Sequence, residues 1–406
     1  MKKISPFIFL AILFVSSCSK ETGESYILKL YGDVFEDTGS SVAIASNGYI
    51  IAGQFENVRR ENNVIVAGSE DKNMAVIKTD WHGNVTWKKS LGGKNEDSGA
   101  RIYQLSDGSM LCVGTFTDTS SVNDYQKEVF VVKLSPSGET IWQKTYGETG
   151  NQTGKDIIET SFGYLIIGTT DIKNLPVTAS TGNPEGKTDI FIIKTDINGL
   201  LLDTLRRGFP GNDMASAIKQ DGSGNFIILG TTEMPSNPAK KHDLFFIKLN
   251  SQGFVIQSKI TGGEEDEYSS DIEVLDDGYL VSATIGAAGI EQQGYLLKLN
   301  TDIHSAPVFE KKIQVDGMST SFNAVCNYGP ENYAIAGGVG SGLASKMLVV
   351  ESDGSGNLVA ESKMMMGSSG EQVVNDLVSG DDGYLIAVGK NKYDLNSMIT
   401  FLKFKF

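Results

Sequence analysis

Short, nearly continuous apolar runs recur along the chain, separated by polar stretches rich in Gly, Asp and Asn. One set opens on a Gly-Tyr pair or a near variant: Gly48-Tyr49-Ile50-Ile51, Gly108-Ser109-Met110-Leu111, Gly163-Tyr164-Leu165-Ile166, Gly224-Asn225-Phe226-Ile227, Gly278-Tyr279-Leu280-Val281, Asn332-Tyr333-Ala334-Ile335 and Gly383-Tyr384-Leu385-Ile386. Successive starts lie 51 to 61 residues apart. A second set follows each of these, as MAVIKTD, VFVVKLS, IFIIKTD, LFFIKLN, GYLLKLN, KMLVVESD and MITFLKF. Runs this short, bounded by turn residues, read as strands, and their unbroken apolar character implies cover on both faces. A third set is more polar: NVTWKKSLGG, ETIWQKTYG, LLLDTLRRG, FVIQSKITGG, PVFEKKIQVDG and LVAESKMMMG. It has six copies where the others have seven, and the pattern of ESYILKLYG near the N-terminus supplies the missing one.

A period of this length with four strands per unit predicts an all-β fold, a seven-bladed β-propeller of four-stranded antiparallel blades. Because seven blades need seven outer strands, the N-terminal strand at 25–31 is expected to join the C-terminal blade beside the strand at 398–404. Such a clasp removes an open sheet edge between the first and last blades.

The repeat can be followed through 37–53, 97–114, 213–230 and 267–283: an acid, a small residue, an aliphatic anchor, an Asp-Gly or similar turn, an aliphatic strand, then an aliphatic-Lys-Leu or Lys-Thr strand. It resembles the bacterial seven-bladed β-propeller repeat family often called SBBP, over essentially all of 25–406. The resemblance implies the fold and little else, since that family has no single activity. Blades six and seven depart most from the pattern, with Asn332 at the turn Gly and Glu351 at the recurrent Lys.

The leader reads as an address. Lys2 and Lys3 precede an apolar stretch at 7–15 that is too short to span a bilayer. Val15-Ser16-Ser17-Cys18 resembles the lipobox of bacterial lipoproteins, which implies a signal peptide over 1–17, acyl chains on Cys18, and a tether over 18–24 of at most about 20 Å. The short Ser/Lys/acidic tether resembles export tags of Bacteroidetes-type surface lipoproteins. The expected location is the outer membrane, with both its periplasmic and its outward side open. The two other cysteines, Cys112 and Cys326, sit four repeats apart in apolar runs and read as buried free thiols.

With 35 Lys and Arg against 50 Asp and Glu, the formal charge is −15, which argues against a nucleic-acid partner. The 46 Gly suit tight turns rather than long helices.

In a propeller the turns between first and second strands and between third and fourth strands share one face. Here they are tight Asp/Asn-Gly turns that satisfy backbone geometry. The opposite face takes the connections between second and third strands. These are longest at 54–73 and 169–189, intermediate at 115–128 and 231–243, and shortest at 338–345. Long loops with little regular structure on a rigid scaffold are the usual carriers of recognition. Arg59, Arg60, Tyr125, Lys240 and Lys241 are the candidate binding residues on this face. The blade-to-blade connections on the same face carry a recurrent acid, Asp37, Asp97, Asp213 and Glu267, expected to bond backbone amides at the strand start.

Enzyme signatures are weak. His82, His242 and His304 have no zinc-site spacing, no Gly-x-Ser-x-Gly occurs, and the stretch at 147–156 lacks the Ser/Thr that follows the Lys of a phosphate loop. No cofactor or metal is called for; clustered carboxylates leave Ca²⁺ as a weak option without EF-hand spacing. One set of charges breaks the repeat: Arg101, Asp156, Asp271 and Asp376 stand where other blades have Ser41, Ala217 and Ala324. Buried charges are paired as a rule, so an ion pair between Arg101 and Asp156 is expected.

The sequence therefore points to a monomeric, lipid-anchored propeller that binds or scaffolds a protein or glycan partner without catalysis. The competing class is a glycan-active enzyme, a glycosidase or polysaccharide lyase, using two carboxylates on the loop-rich face. Cys18→Ala is expected to move the protein out of the membrane fraction while its circular dichroism stays that of the parent. An exported mutant that still sediments with membranes would overturn the lipid anchor.

Overall fold

The structure, a computed structural model, describes residues 26–32, 36–61, 64–93, 95–118, 126–147, 150–171, 188–233, 242–286, 291–367, 369–393 and 396–406, with 57–70 described as backbone alone. Cys18, Tyr125, Lys240 and Lys241 lie outside the described residues, as do the leader, the tether and most of the 169–189 connection.

The described strands form seven four-stranded antiparallel sheets. Blade one runs over 38–91, blade two over 98–146, blade three over 152–207, blade four over 213–261, blade five over 267–313 and blade six over 320–366. Each of these is a plain meander from innermost to outermost strand. Blade seven has three strands of its own over 371–404 and takes Ile27–Tyr31 as its fourth. That strand lies antiparallel to Asn396–Phe404, with Ile27 opposite Lys403 and Tyr31 opposite Ile399. The ring is thus closed by the N-terminal strand, as the repeat count requires.

The core is not one mass but seven apolar clusters, each filling one interface between neighbouring blades. The alternation of side chains across a strand explains it. In Gly48–Glu61, Tyr49 and Ile51 pack toward blade seven while Ile50 and Ala52 pack toward blade two. Both sets are buried, so the sequence shows an unbroken apolar run. Each large aliphatic or aromatic side chain so buried contributes about 1.5–3 kcal/mol. Cys112 and Cys326 belong to two of these clusters, as buried free thiols. Burial pushes the Cys112 thiol up to about 12, which keeps it unreactive.

The tight-turn face is tied together by the recurrent Lys of the third strand. Lys133 reaches Asp107 of its own blade's turn at 3.0 Å and donates to the Tyr164 hydroxyl of the next blade at 3.3 Å. Lys298 repeats this with Asp277 at 2.9 Å and Tyr333 at 3.3 Å. Lys248 pairs with Asp221 at 3.0 Å, which also accepts from Tyr279 at 2.9 Å. Lys403 pairs with Asp382 at 3.5 Å and lies over the Tyr49 ring, across the closure. The Asp-Gly-Tyr turn and the distant Lys of the consensus are therefore parts of one inter-blade contact. Blade six breaks both positions together: Asn332 donates from Nδ2 to Glu351 Oε1 at 2.5 Å, an internal replacement for the lost Lys tie.

Removing residues 25–31 strips blade seven of its outer strand and uncovers an apolar face. The expected loss is several kcal/mol, a large share of a total that is typically about 5–15 kcal/mol. Urea unfolding of the truncated protein measures it, and an unchanged midpoint would refute the clasp as a stabilising element.

Candidate functional site

On the loop-rich face the acids at the blade entrances turn inward. Asp97 accepts from the Gly93 amide at 2.5 Å and the Thr117 amide at 2.7 Å. Asp37 accepts from the Glu56 amide at 2.9 Å, Asp213 from Phe209 at 2.6 Å, and Glu267 from Gly263 at 2.8 Å. All four are buried. Each thereby fastens a blade's innermost strand to the connection or strand beside it. The arrangement also explains the Gly that ends the outer strands: Gly92 has φ +153°, and a Cβ there would sit 2.2 Å from Asp97 Oδ2. Burial is the dominant influence on Asp213, raising its carboxyl to about 7. These acids hold the scaffold and present no free carboxylate ring to solvent.

The 54–73 connection differs from expectation. It is not an irregular loop but a continuation of blade one's second and third strands, Gly48–Glu61 and Val64–Thr79. Phe55 pairs with Asn73, Asn57 with Asp71 and Arg60 with Ile65, after a register shift between Val58 and Arg60. The ladder runs on past the blade through this single irregularity and pairs again at Arg60 and Glu61. Arg59 and Arg60 therefore stand on a β-arm, with only 62–63 outside the described residues. At its base Glu36 joins Lys72 at 3.1 Å and Lys392 of blade seven at 3.3 Å. These two lysines hold the Glu36 carboxyl below its ordinary value.

The centre of the ring holds a feature the sequence marked only in part. Every innermost strand carries a β-bulge, and the residue after the bulge is Ser41, Arg101, Asp156, Ala217, Asp271, Ala324 or Asp376. A bulge bends its strand and re-aims the side chains beside it. Arg101 of blade two reaches across the axis to three blades at once. Its Nε is 3.4 Å from Asp156 of blade three, its Nη2 3.2 Å from Asp271 of blade five, and its Nη1 3.2 Å from Asp376 of blade seven. The expected Arg101–Asp156 pair is one arm of this knot.

The other oxygens are occupied as well. Asp156 accepts from the amides of Ile157 at 2.8 Å and Ile218 at 2.9 Å. Asp376 accepts from Leu377 at 3.0 Å and Val42 at 2.9 Å, and Asp271 from Val325 at 3.4 Å. Each Asp thus links its blade to the next. Burial opposes the charge on Arg101, but Asp156, Asp376 and Asp271 hold its pKa well above the ordinary value. Burial raises the Asp156 carboxyl, with Arg101 and the Ile218 amide opposing.

The knot divides the axial channel. Toward the loop-rich face lies a funnel of about 560 Å³; toward the tight-turn face lies a cavity of about 480 Å³, and Arg101, Asp271 and Asp376 border both. Six of the seven bulge residues at the funnel are small and neutral: Ser40, Ala100, Ser216, Ser270, Asn323 and Asn375. The seventh is Lys155, which is exposed and has neither ion pair nor hydrogen bond to any described residue. The protein packed around it, and then Arg101, pushes the Lys155 ammonium below the usual lysine value. The lower cavity contains Tyr103, Lys219 and Glu273, the last two 3.8 Å apart, with Cys326 beside them. Burial pushes the Tyr103 hydroxyl up to about 12 and also raises the Glu273 carboxyl. Among the described residues no group of three His, Cys, Asp or Glu is placed to hold a metal ion.

Sequence reasoning found the column of Arg101 and the three aspartates but not the bulge ring. The signal was present, one residue earlier in each repeat, but without the bulge that position reads as facing away from the axis.

No family model matches the chain. In an alignment of 391 positions that covers 89% of this chain it is 24% identical to the regulatory protein FlaEY of Caulobacter vibrioides, a distant bacterial homologue of which it spans only 38%. Among solved structures, Raptor of Chaetomium thermophilum superposes with a TM-score of 0.54 at 9% identity, over 92% of this chain and 28% of that one. A puromycin hydrolase superposes with a TM-score of 0.52 at 12% identity, over 87% and 50%. At such identities these likenesses concern the propeller fold alone.

Arg101→Met leaves three buried carboxylates without their cation. The expected cost at pH 7 is about 3–5 kcal/mol, as for other broken buried pairs. Without the guanidinium that opposes it, burial raises the Asp156 carboxyl further above its unfolded value. This group's contribution to the mutant's stability is therefore greatest below about pH 4 and is lost as pH rises through its folded pKa. Urea melts at pH 5 and pH 8 should give a smaller gap from wild type at pH 5, and an equal gap would refute the account.

Proposed function

We propose that this propeller is a cell-envelope lipoprotein that binds or scaffolds a protein or glycan partner on its loop-rich face, without catalysis. The observation that carries this reading is the direction of the clasp strand. Ile27 lies opposite Lys403, and Lys29 donates to Asn84 in a tight turn of blade one, so the chain reaches the ring at its tight-turn face. A lipid on Cys18, with its short tether, would hold that face to the bilayer and present the opposite face outward. Exposed Tyr26, Trp81 and Phe254 at or beside turn tips on the same side suit a membrane interface.

The outward face then carries the axial funnel and the β-arm of blade one. Catalysis by paired carboxylates finds little support there. A glycosidase needs two acids free to exchange protons across a substrate. Asp156, Asp271 and Asp376 converge, but their oxygens are taken by Arg101 and backbone amides.

The test is to shorten the arm. Asn57 and Asp71 are register partners, so an Asn-Gly turn in place of residues 58–70 preserves the ladder below it. Loop-closure entropy changes slowly with length, so the melting temperature should stay close to that of the parent. Partner capture from envelope extracts by the lipidated protein should be lost. Retained capture, together with its loss on charge reversal at Glu331 and Asp381 of the tight-turn face, would place the working surface on the wrong side of this reading.

A further inference from the structure

The funnel above the knot has a composition that narrows its ligand. A bulge in each blade points a side chain at the same space, and six of the seven bulge residues are small and uncharged. Among the bulge residues Lys155 alone brings charge, and no described carboxylate lies within ion-pair distance of it, although Asp156 and Asp271 of the knot attract it from farther off. The wall is already ordered. Ser216 Oγ lies 2.6 Å from Ser269 Oγ, which lies 2.8 Å from Thr231 Oγ1. Asn323 and Asn375 donate from Nδ2 to the Val374 and Gly39 carbonyls, both at 2.8 Å, which leaves their amide oxygens to accept from a ligand. Groups fixed in this way lose little freedom when something binds.

We propose that this funnel binds a carboxylated sugar residue, its carboxylate on Lys155 and its hydroxyls on the surrounding serine and asparagine side chains. The inference deepens the binding function above and rests on the loop-rich face being the working one. Charge selects against other anions. Beneath Lys155 lies one arginine with three aspartates, an excess of negative charge, so a dianion such as phosphate meets about twice the repulsion that a single carboxylate meets. A neutral sugar fails differently, because it displaces water from the ammonium without replacing it by a counter-charge. A volume of about 560 Å³ falls within the usual range for small-molecule sites. The funnel opens on the loop-rich face, so such a residue can be the end of a longer glycan.

Calorimetric titration of the full chain with glucuronate, glucose and inorganic phosphate tests this. Glucuronate should bind saturably, with glucose and phosphate at least about tenfold weaker, a difference of roughly 1.4 kcal/mol. Lys155→Gln should weaken glucuronate by at least tenfold with its melting temperature unchanged. Ser270→Asp, which adds a second negative charge to the ring and leaves Lys155 in place, should do the same. The proposal is overturned by no saturable binding of glucuronate to the folded wild type, by equal binding of phosphate or glucose, or by an undiminished Lys155→Gln. Failure here with partner capture still dependent on the β-arm removes only the ligand class. Capture that survives loss of the arm, with glucuronate binding intact, removes the arm and leaves the funnel.

Discussion

Both faces of every blade are apolar, so no blade can stand in water without a neighbour on each side. Seven clusters of buried side chains fill the seven interfaces, and each draws on two blades. A linear array would leave two such faces exposed; bending into a ring covers them. Closure then becomes the step on which the remaining interfaces depend, and it is made by the first strand of the chain completing the last blade. The cluster between blades seven and one includes Tyr31 from that strand, beside Ile399 and Phe401. Local blade geometry and global closure are thus satisfied by the same residues.

The axis poses a different problem, because seven innermost strands converge where side chains are too few to fill the space. The chain answers with polar chemistry. Arg101 reaches the three aspartates of blades three, five and seven, and their remaining oxygens take amides from the following blades. A guanidinium suits this role, since its planar fork supplies several donors and stays protonated. The knot closes the channel and leaves two unlike compartments. One holds the Lys219–Glu273 pair and Tyr103 beside apolar wall; the other is a hydroxyl- and amide-lined funnel that Lys155 enters.

The two faces of the ring differ in how far their polar groups are already engaged. On the tight-turn face, turn aspartates and strand lysines bond each other and the next blade's tyrosine, and where blade six loses the lysine it supplies Asn332 and Glu351 instead. On the loop-rich face the entrance acids are likewise bound to backbone, but the β-arm and the funnel wall project beyond what the blades need. A surface whose hydrogen bonds are satisfied internally has little to offer a partner. The proposed assignment of the working surface to the loop-rich side rests on that asymmetry.

The repeat in the sequence determined the fold, the blade count and the clasp, because a strand buried on both faces must be apolar at every position and a blade must be written out in full each time. It also marked the column of Arg101, Asp156, Asp271 and Asp376, since charge in a buried register stands out against Ser41, Ala217 and Ala324. Tertiary structure alone decided the rest. Three aspartates distant in sequence meet one arginine only because the ring brings blades two, three, five and seven to a common axis, a relation that no spacing along the chain expresses. Lys155 looked like the end of a degenerate phosphate loop until the bulge turned it into the funnel. The stretch at 54–73 looked like a loop because its polar residues hid a ladder whose hydrogen bonds are made by backbone, and backbone pairing leaves only a faint trace in side-chain identity.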